Sequence, residues 1–263
     1  MQIGAATRAL VTGASRGIGR ALSVELAGRG ARLGLLARGA EGLEALVAEL
    51  PGDHVVLPAD VGNRLEIEPA VERFVAEAGG IDLLIANAGI AHYGPFVDID
   101  VELAEELVQV NVLGTIYTLK AGLAPMLDQR SGHVVVVSSA AGLRAFPSAA
   151  TYGATKAAGR ALAEALRHEL SGTGIGLTTA FPGETKTDLH AHEPDRMPEW
   201  HRGANAVEPE QVAIELIAAI EADRRAVFTP AKIRALGLNG LAPRLADRIL
   251  KVLRGDSIAP RRD

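Results

Sequence analysis

The 263-residue chain has no cysteine, few aromatic residues and no long hydrophobic run. Without cysteine, disulfides, thiolate catalysis and cysteine-ligated zinc are excluded. An aromatic content of 3% disfavours a site that stacks carbohydrates or nucleobases. The longest run made only of valine, leucine or isoleucine covers residues 134–137, far short of the roughly 20 apolar residues of a membrane-spanning helix. A dozen residues without a cleavage-site pattern precede the glycine cluster at Gly13, so we expect no secretory signal and a cytoplasmic protein.

The formal net charge of −5 is unevenly distributed along the chain. Residues 224–263 contain ten Lys or Arg against three Asp or Glu, a balance of +7, which leaves −12 for residues 1–223. The C-terminal segment therefore presents a surface that is chemically distinct from the rest of the chain.

Apolar segments of strand length alternate with helix-patterned segments along the chain. The apolar segments are continuous, which indicates strands covered on both faces. We therefore predict an α/β fold, a doubly wound parallel sheet of about seven strands, in one domain over residues 1–230 with a helical extension over 231–263. The predicted strands are 7–12, 32–37, 54–58, 81–86, 133–139, 175–181 and 226–229, and the predicted helices are 17–29, 41–50, 65–78, 100–128, 152–171 and 208–222.

A glycine-rich stretch, TGASRGIG at residues 12–19, joins the first predicted strand to the first predicted helix. Its G-x-x-x-G-x-G spacing is related to the dinucleotide fingerprint, in which glycines allow a tight turn and close approach to a pyrophosphate. The free amides and the positive end of the helix dipole would then face the phosphates. A purely structural turn is the alternative. The candidate cofactor-binding residues of this loop are Gly13, Ser15, Arg16, Gly17, Ile18 and Gly19.

The end of the second predicted strand indicates which dinucleotide is bound. An NAD-selective site places an acidic residue there, whereas this chain has Ala37 followed by Arg38. The guanidinium of Arg38, together with that of Arg16 in the glycine loop, can pair with a 2′-phosphate. We therefore predict NADP(H) as the cofactor in preference to NAD(H), with two solvated surface arginines as the alternative.

The chain resembles the short-chain dehydrogenase/reductase family over residues 7–230. The resemblance depends on ordered motifs, which are TGASRGIG at 12–19, AD-V at 59–61, NAG at 87–89, Asn111 within QVNVLG, SS at 138–139, Y-x-x-x-K at 152–156 and PG at 182–183. It implies a Rossmann fold and hydride transfer between a nicotinamide cofactor and a carbonyl or alcohol.

The resemblance also implies three further cofactor-binding stretches, after the third, fourth and sixth strands. The first would hold the adenine, the second would line the cofactor, and the third would hold the nicotinamide carboxamide. Ordinary turns are the alternative for the second and third, because Asn, Pro and Gly favour turns. In order, these stretches are Asp60 and Val61; Asn87, Ala88 and Gly89; and Pro182, Gly183, Thr185 and Thr187.

Tyr152 and Lys156 lie four residues apart in a helix of small residues, AATYGATKAAG, and so share one face. One interpretation of the two residues is an exposed surface pair without a catalytic role. The functional interpretation is a phenol that gives a proton to the alkoxide formed by hydride transfer, with the ammonium lowering the phenol pKa from its usual value of about 10. The resemblance implies that Lys156 also holds the nicotinamide ribose.

Ser139 and Asn111 complete the predicted catalytic set. Ser139 ends a buried predicted strand, and its hydroxyl can hold the substrate oxygen near the tyrosine. Strand alternation points Ser138 to the opposite face. Asn111 is polar in the middle of a long apolar-striped helix and would more often be a local kink or a satisfied core amide, whereas the resemblance implies that it anchors a water that links Lys156 to solvent.

Residues 188–206 fall where the family has a mobile substrate loop. His190, His192 and His201 cluster there, but they lack nearby carboxylates at ligand spacing, so we predict no metal site. Trp200, Met197 and Phe146 are expected to line a pocket or to pack the loop.

The extension 231–263 interleaves leucines and isoleucines with Lys and Arg, unlike the short closing segment of many relatives. It has three interpretations, which are a flap over the substrate pocket, an oligomer contact and a peripheral membrane helix. A nucleic-acid partner is disfavoured by its leucine content.

We expect a homodimer through the helices at 100–128 and 152–171, with a tetramer less favoured. The expected substrate is small and hydrophobic, lipid-, steroid- or acyl-like, and the rival function is a catalytically silent NADP(H) sensor or scaffold.

Overall fold

The computed structural model describes residues 1–187 and 206–240, together with residues 243–244 and 247–248. Its strands are β1 (Arg8–Thr12), β2 (Arg32–Ala37), β3 (Val55–Pro58), β4 (Leu83–Ala86), β5 (Gly132–Val137), β6 (Ile175–Pro182) and β7 (Ala226–Thr229). All of them are parallel and form one sheet in the order β3-β2-β1-β4-β5-β6-β7. The predicted doubly wound α/β fold is therefore confirmed.

Residues 1–187 and 206–240 form eight α-helices and two 3-10 helices, and six of the α-helices pack on the two faces of the sheet. The α-helices are α1 (Gly17–Gly28), α2 (Ala40–Glu49), α3 (Arg64–Ala78), α4 (Val101–Val108), α5 (Gly114–Gln129), α6 (Ala140–Leu143), α7 (Ala150–Glu169) and α8 (Pro209–Glu221). The 3-10 helices are Phe96–Asp98 and Ala231–Gly240, and the second of these is the helical start of the C-terminal extension.

Each central strand buries side chains on both faces, as its continuous apolar sequence predicts. In β1, Ala9 and Val11 face the layer of α1, α2 and α8, whereas Leu10 faces the layer of α3, α5 and α7. In β5, Val135 and Val134 divide between the two layers in the same way. Full burial of such a side chain contributes about 1.5–3 kcal/mol, so the two apolar layers fix the sheet between the helices.

The predicted strand and helix boundaries agree with the observed ones to within two residues. The helix predicted over residues 100–128 is observed, but it contains a π-helical turn, Gln109–Leu113, between α4 and α5. The strand predicted to reach residue 139 ends at Val137, because Ser139 is the N-cap of α6 and accepts a hydrogen bond of 3.1 Å from the Ala141 amide. A four-residue helix such as α6 is too short for periodicity to reveal.

A crevice forms at the carboxyl edge of the sheet between β1 and β4, where the strand order reverses. From β1 the chain continues to β2 on one side of β1, whereas β4 pairs with the other side of β1. Ligands of open α/β sheets bind in the crevice that this reversal creates. The fold therefore places a binding site where the chain leaves β1 and β4.

Within the described ranges, no helix has both the length and the apolar character needed to cross a bilayer. The cytoplasmic location and the division of the chain at residue 230 stay predictions.

Acid should destabilise the fold through His133, which is 2% exposed on β5. Its Nε2 lies 2.8 Å from the Thr178 hydroxyl, and burial lowers its pKa to about 4, although Asp223 opposes the shift. The folded state therefore binds this proton less readily than the unfolded state, whose histidine pKa is about 6.5, so stability is lost as pH falls from about 6.5 to about 4. We predict a loss of up to about 3 kcal/mol over that range from this group, measured by urea unfolding at several pH values.

The control for this prediction is His133→Gln, which keeps a donor toward Thr178 and cannot titrate. Its unfolding free energy should vary less between pH 6.5 and pH 4 than that of the parent protein. An equally steep dependence in both proteins would exclude His133 as the source.

Candidate active site

A cavity of about 530 Å³ opens at the carboxyl edge of the sheet. Nearly all the residues predicted from the motifs line it. Two predicted residues, Gly19 and Asn111, lie behind its wall and contact lining residues. The predicted residues on the wall are Gly13, Ser15, Arg16, Gly17, Ile18, Arg38, Asp60, Val61, Asn87, Ala88, Gly89, Ser139, Tyr152, Lys156, Pro182, Gly183, Thr185 and Thr187.

The glycine loop adopts a conformation that other residues rarely adopt. Gly13 and Gly17 have φ angles of 68° and 55°. A Cβ on Gly19 would overlap the Gly13 carbonyl oxygen and would lie 2.6 Å from the Asn87 side-chain nitrogen. The side chain of the N-cap residue of α1, Arg16, forms no capping hydrogen bond, and the first turn of α1 carries no acidic residue. The loop therefore leaves helix amides available to a pyrophosphate, which fits a dinucleotide.

Hydrogen bonds from the motif residue Asn87 join the ends of β1 and β4. The Asn87 side chain donates to the Thr12 carbonyl at 2.9 Å, while the Thr12 hydroxyl accepts from the backbone amides of Asn87 and Ala88, each at 3.1 Å. That hydroxyl donates in turn to the Ile85 carbonyl at 3.2 Å. Asn87 thus joins the ends of β1 and β4 and also lines the cavity.

Two exposed cations lie at the end of the cavity that we predict to hold the adenine, which is called the adenine end below. Arg16 precedes α1 and Arg38 follows β2, beside Ala37. Within the part of the chain that the structure describes, neither guanidinium forms a hydrogen bond or an ion pair. Asp60 stands at the same end, and its carboxylate accepts from the Gly62 amide at 2.8 Å, which shapes the turn after β3.

Tyr152 is buried in the cavity wall in the first turn of α7, and only 7% of it is exposed. Burial raises the pKa of its phenol, and a hydrogen bond with the Ser139 side chain opposes that rise. The net direction is opposite to the lowering that we expected from Lys156, because desolvation dominates. In this arrangement the phenol keeps its proton at neutral pH.

Lys156 is buried one helical turn from Tyr152, as predicted. Its Nζ lies 5.9 Å from the Tyr152 ring centroid and donates to the Val137 carbonyl at 3.3 Å. Burial lowers its pKa to about 8. A Cβ on Gly89 would lie 3.0 Å from this Nζ, so a glycine at that position gives the ammonium room.

Asn111 lies in the π-helical turn with all its amide hydrogens engaged. Its Oδ1 accepts from the Ile90 amide at 2.9 Å, and its Nδ2 donates to the Ile90 carbonyl at 2.9 Å and to the Thr155 hydroxyl at 3.0 Å. The side chain therefore fixes the segment after β4 against α7. Its role in a proton relay stays a prediction.

The two adjacent serines after β5 have different partners. The Ser138 hydroxyl donates to the Lys156 carbonyl at 2.7 Å, which fixes α7 to the end of the strand. Ser139 instead contacts Tyr152 and caps α6. This division agrees with the choice of Ser139 as the candidate that positions the substrate oxygen.

Several cavity residues were not foreseen as site residues. Glu184 directly follows the PG motif and Tyr93 lies four residues after Gly89, so their place near the motifs was the available signal. Ile233 and Leu236 come from the 3-10 helix Ala231–Gly240, for which the amphipathic pattern of the extension was the signal. Phe146 lines the cavity, as expected of a pocket residue.

Some predicted features lie outside the described residues. They are positions 188–205 of the substrate loop, with His190, His192, Met197, Trp200 and His201, and most of the extension after residue 240. The described start of the extension lines the cavity, which agrees with a flap for that part alone. The predicted absence of a metal site, the homodimer and the peripheral membrane contact stay predictions.

Comparison with known proteins identifies the family. The sequence model described as short chain dehydrogenase matches residues 7–197. The chain belongs to the short-chain dehydrogenase family. It is 36% identical over 184 residues to an uncharacterized oxidoreductase of Staphylococcus aureus (strain MW2), covering 70% of this chain and 80% of that protein.

Two solved structures share the fold along most of the chain. A short-chain dehydrogenase/reductase from Burkholderia phymatum in complex with NAD is 25% identical with a TM-score of 0.84, and the match covers 94% of this chain and 97% of that one. An alcohol dehydrogenase from Thermococcus sibiricus complexed with 5-hydroxy-NADP is 26% identical with a TM-score of 0.76, covering 84% and 95%. The similar structures thus include complexes with both kinds of nicotinamide dinucleotide.

A methyl group on Gly19 should impair the glycine loop, because it would overlap the Gly13 carbonyl. We predict that Gly19→Ala weakens NADPH binding at least about tenfold and destabilises the fold by about 1–3 kcal/mol. Fluorescence titration and thermal unfolding measure the two effects. The matched control is Gly28→Ala at the other end of α1, where a Cβ meets nothing within 4 Å. Equal behaviour of the two variants would contradict the close approach.

Proposed function

We propose that the protein is an NADP(H)-dependent oxidoreductase that interconverts a carbonyl and a secondary alcohol on a small hydrophobic substrate. The observation that carries this proposal is the convergence of Ser139, Tyr152 and Lys156 on one cavity whose other end is the glycine loop. Ser139 lies between β5 and α6, and Tyr152 and Lys156 lie on α7, so the fold brings together side chains from two separate segments of the chain. Family membership supports oxidoreductase chemistry in general.

The chain's residues supply the proton side of the reaction. A bound nicotinamide would give or take the hydride. In the reductive direction Tyr152 donates its proton to the substrate oxygen, and the Ser139 hydroxyl holds that oxygen by a second hydrogen bond. The carbonyl thereby gains one hydride at carbon and one proton at oxygen and becomes an alcohol. Because burial keeps the phenol protonated, the arrangement supports reduction at neutral pH.

Lys156 would act on the phenol and on the cofactor together. A cation near Tyr152 would stabilise the phenolate left after proton transfer, and Lys156, whose Nζ lies near Gly89, would also hold the nicotinamide ribose, as the family resemblance implies. Asn111 accepts from the Ile90 amide and donates to the Thr155 hydroxyl on α7. These bonds hold the segment that contains Gly89 against α7, so we propose that Asn111 is a positioning residue.

The preference for NADP(H) is supported by the charges at the adenine end. Arg16 and Arg38 are exposed there, and Ala37 occupies the place where an acidic residue would repel a 2′-phosphate. A phosphate between two guanidinium groups would gain charge-assisted hydrogen bonds.

The substrate end of the cavity supports a hydrophobic ligand. Its wall includes Ile90, Phe146, Ile233 and Leu236. Apolar walls with few polar groups are typical of sites for small organic molecules. The proposed substrates are therefore ketones, aldehydes or secondary alcohols with apolar substituents.

Removing the phenol oxygen should abolish chemistry and spare binding. We predict that Tyr152→Phe lowers kcat at least about 100-fold, since general acid catalysis commonly supplies this much. The dissociation constant of NADPH should change by less than about threefold, because the ring and its packing remain. Stopped-flow NADPH oxidation and fluorescence titration measure the two quantities. Residual activity close to the parent value would remove Tyr152 from this role, and tight NADPH binding by a parent protein that turns nothing over would favour the sensor.

Replacing the cationic end of β2 should change the cofactor. We predict that the double variant Ala37→Asp, Arg38→Ala shifts the ratio of kcat/KM for NADPH over NADH by at least about 100-fold toward NADH, because it adds a repulsive charge and removes an attractive one. Steady-state kinetics with each cofactor measures this ratio. Arg64→Ala, outside the cavity, is the matched control for loss of an arginine. An unchanged preference in the double variant would contradict the assignment.

A further inference from the structure

Tyr152 belongs to a small apolar cluster that is separate from the two apolar layers of the sheet. The cluster draws its members from the segment after β4, from α4, from α6 and from the start of α7. Its buried residues are Ala91, Tyr93, Leu107, Ala141, Ala149 and Tyr152. The packing of the Tyr152 ring therefore depends on this cluster rather than on the two layers.

Tyr93 offers the Tyr152 ring the largest surface among the buried members of the cluster, because the other members are three alanines and one leucine. Tyr93 is 6% exposed, and its ring centroid lies 5.9 Å from that of Tyr152 with an interplanar angle of 51°. Tilted aromatic pairs with centroids about 4.5–7 Å apart attract each other, because the positive edge of one ring meets the negative face of the other. The two rings thus form a direct and favourable contact.

The backbone next to Tyr93 is joined to the segment that leads into α7. The amide of Gly94 donates to the Ser148 carbonyl at 2.9 Å. The residue after Ser148, Ala149, accepts at its carbonyl from the Gly153 amide at 2.8 Å, and so continues into the first turn of α7. The contact between the two tyrosine rings is therefore supported by a backbone connection between the segments that carry them.

Two polar groups also act on the Tyr152 side chain. The Ser139 side chain forms a hydrogen bond with its phenol, and the Lys156 Nζ lies 5.9 Å from its ring centroid. The hydrogen bond does not fix the plane of the ring, because the phenol oxygen lies on the axis about which the ring turns. A single ammonium at that distance does not block the rotation either. The plane of the ring must be held by packing.

The plane of the Tyr152 ring matters for proton transfer. The hydroxyl hydrogen of a phenol lies in the plane of the ring, because the oxygen is conjugated with it. The orientation of the plane therefore decides where the proton points, and a misaligned proton donor slows the reaction that it serves.

We propose that Tyr93 is a positioning residue, whose ring fixes the plane of the Tyr152 ring and so aims the phenol proton at the substrate oxygen. This inference rests on the proposed proton transfer from Tyr152. Tyr93 does not take over that transfer, because burial, the neighbouring Tyr152 and the charge of Glu184 all raise its pKa and make it a weaker acid than an ordinary phenol.

Nuclear magnetic resonance tests the positioning without any turnover. The chain has only three tyrosines, so protein labelled with carbon-13 at the tyrosine Cε atoms gives few signals, which single substitutions assign. Relaxation dispersion then measures how often the Tyr152 ring flips. We expect the flip rate to rise at least about fivefold in Tyr93→Leu, which removes the attractive ring, and to stay at the parent value in Tyr93→Phe, which keeps it.

Steady-state kinetics with NADPH and an apolar ketone tests the consequence. We expect Tyr93→Leu to lower kcat at least about tenfold, while the dissociation constant of NADPH changes by less than about threefold. Tyr93→Phe should restore kcat. Tyr93→Met, which fills the space with a flexible side chain, should behave as Tyr93→Leu does and replaces it if that variant does not fold. The matched control is Tyr117→Leu, because Tyr117 lies on α5 and packs against the other cluster, so its loss should leave kcat unchanged.

Each outcome decides the proposal. An equal flip rate of the Tyr152 ring in the parent protein and in Tyr93→Leu would overturn it, and so would faster flipping with an unchanged kcat. A fall in kcat that Tyr93→Phe does not restore, or that Tyr117→Leu matches, would also overturn it. If the parent protein reduces no ketone, the flip rates decide alone. Failure of the proposed function shows separately, as full activity of the Tyr152→Phe variant.

Discussion

The geometry of the site depends on one buried amide, the side chain of Asn111. It saturates both backbone groups of Ile90 and the hydroxyl of Thr155, so it joins the segment after β4 to α7. Breaking one of these bonds would leave a buried polar group without a partner, which lowers the stability of the folded state by about 1–3 kcal/mol. The π-helical turn presents the amide, and its interruption of a long helix is the local cost of doing so.

The position of Lys156 follows from that connection. With α7 fixed against the β4 exit, the ammonium is held below Gly89, where any side chain would meet it. The Thr12 hydroxyl performs a similar task on the other side of the crevice by engaging the amides of Asn87 and Ala88. Two small sets of hydrogen bonds, one around Thr12 and one around Asn111, thus fix the segments that follow β1 and β4. The apolar layers on the two faces of the sheet pack beside them.

Burial then sets the protonation states. The pKa of Tyr152 is raised and that of Lys156 is lowered to about 8, both in the direction that disfavours charge. A phenol that keeps its proton is ready to donate it. Other charged side chains of the cavity wall are Arg16, Arg38 and Asp60 on the β1–β3 side of the cavity and Glu184 after β6.

Local sequence signals predicted most of this arrangement. Continuous apolar runs such as 134–137 indicate strands that are covered on both faces. The glycine loop is a contiguous motif, so the sequence alone predicted β1, α1 and the turn between them. A polar residue in the apolar stripe of a long helix indicated a local kink at Asn111 as one alternative, but the π-helical turn itself was not predictable, because Asn111 contacts residues far away in sequence. Glu184 lies next to a motif, and Ile233 and Leu236 belong to an amphipathic segment, but only tertiary packing brings these residues to the cavity. Family membership is confirmed by comparison, whereas the cofactor preference depends on two arginines whose role only binding can test.

Deuterium transfer from the cofactor tests the central claim most directly. NADPH labelled with deuterium at the transferring C4 position would be incubated with the protein and a panel of ketones with apolar substituents, and the alcohols would be analysed by mass spectrometry. The account predicts an alcohol that carries one deuterium at its carbinol carbon. Tight binding of NADPH with no labelled alcohol from any ketone would contradict it.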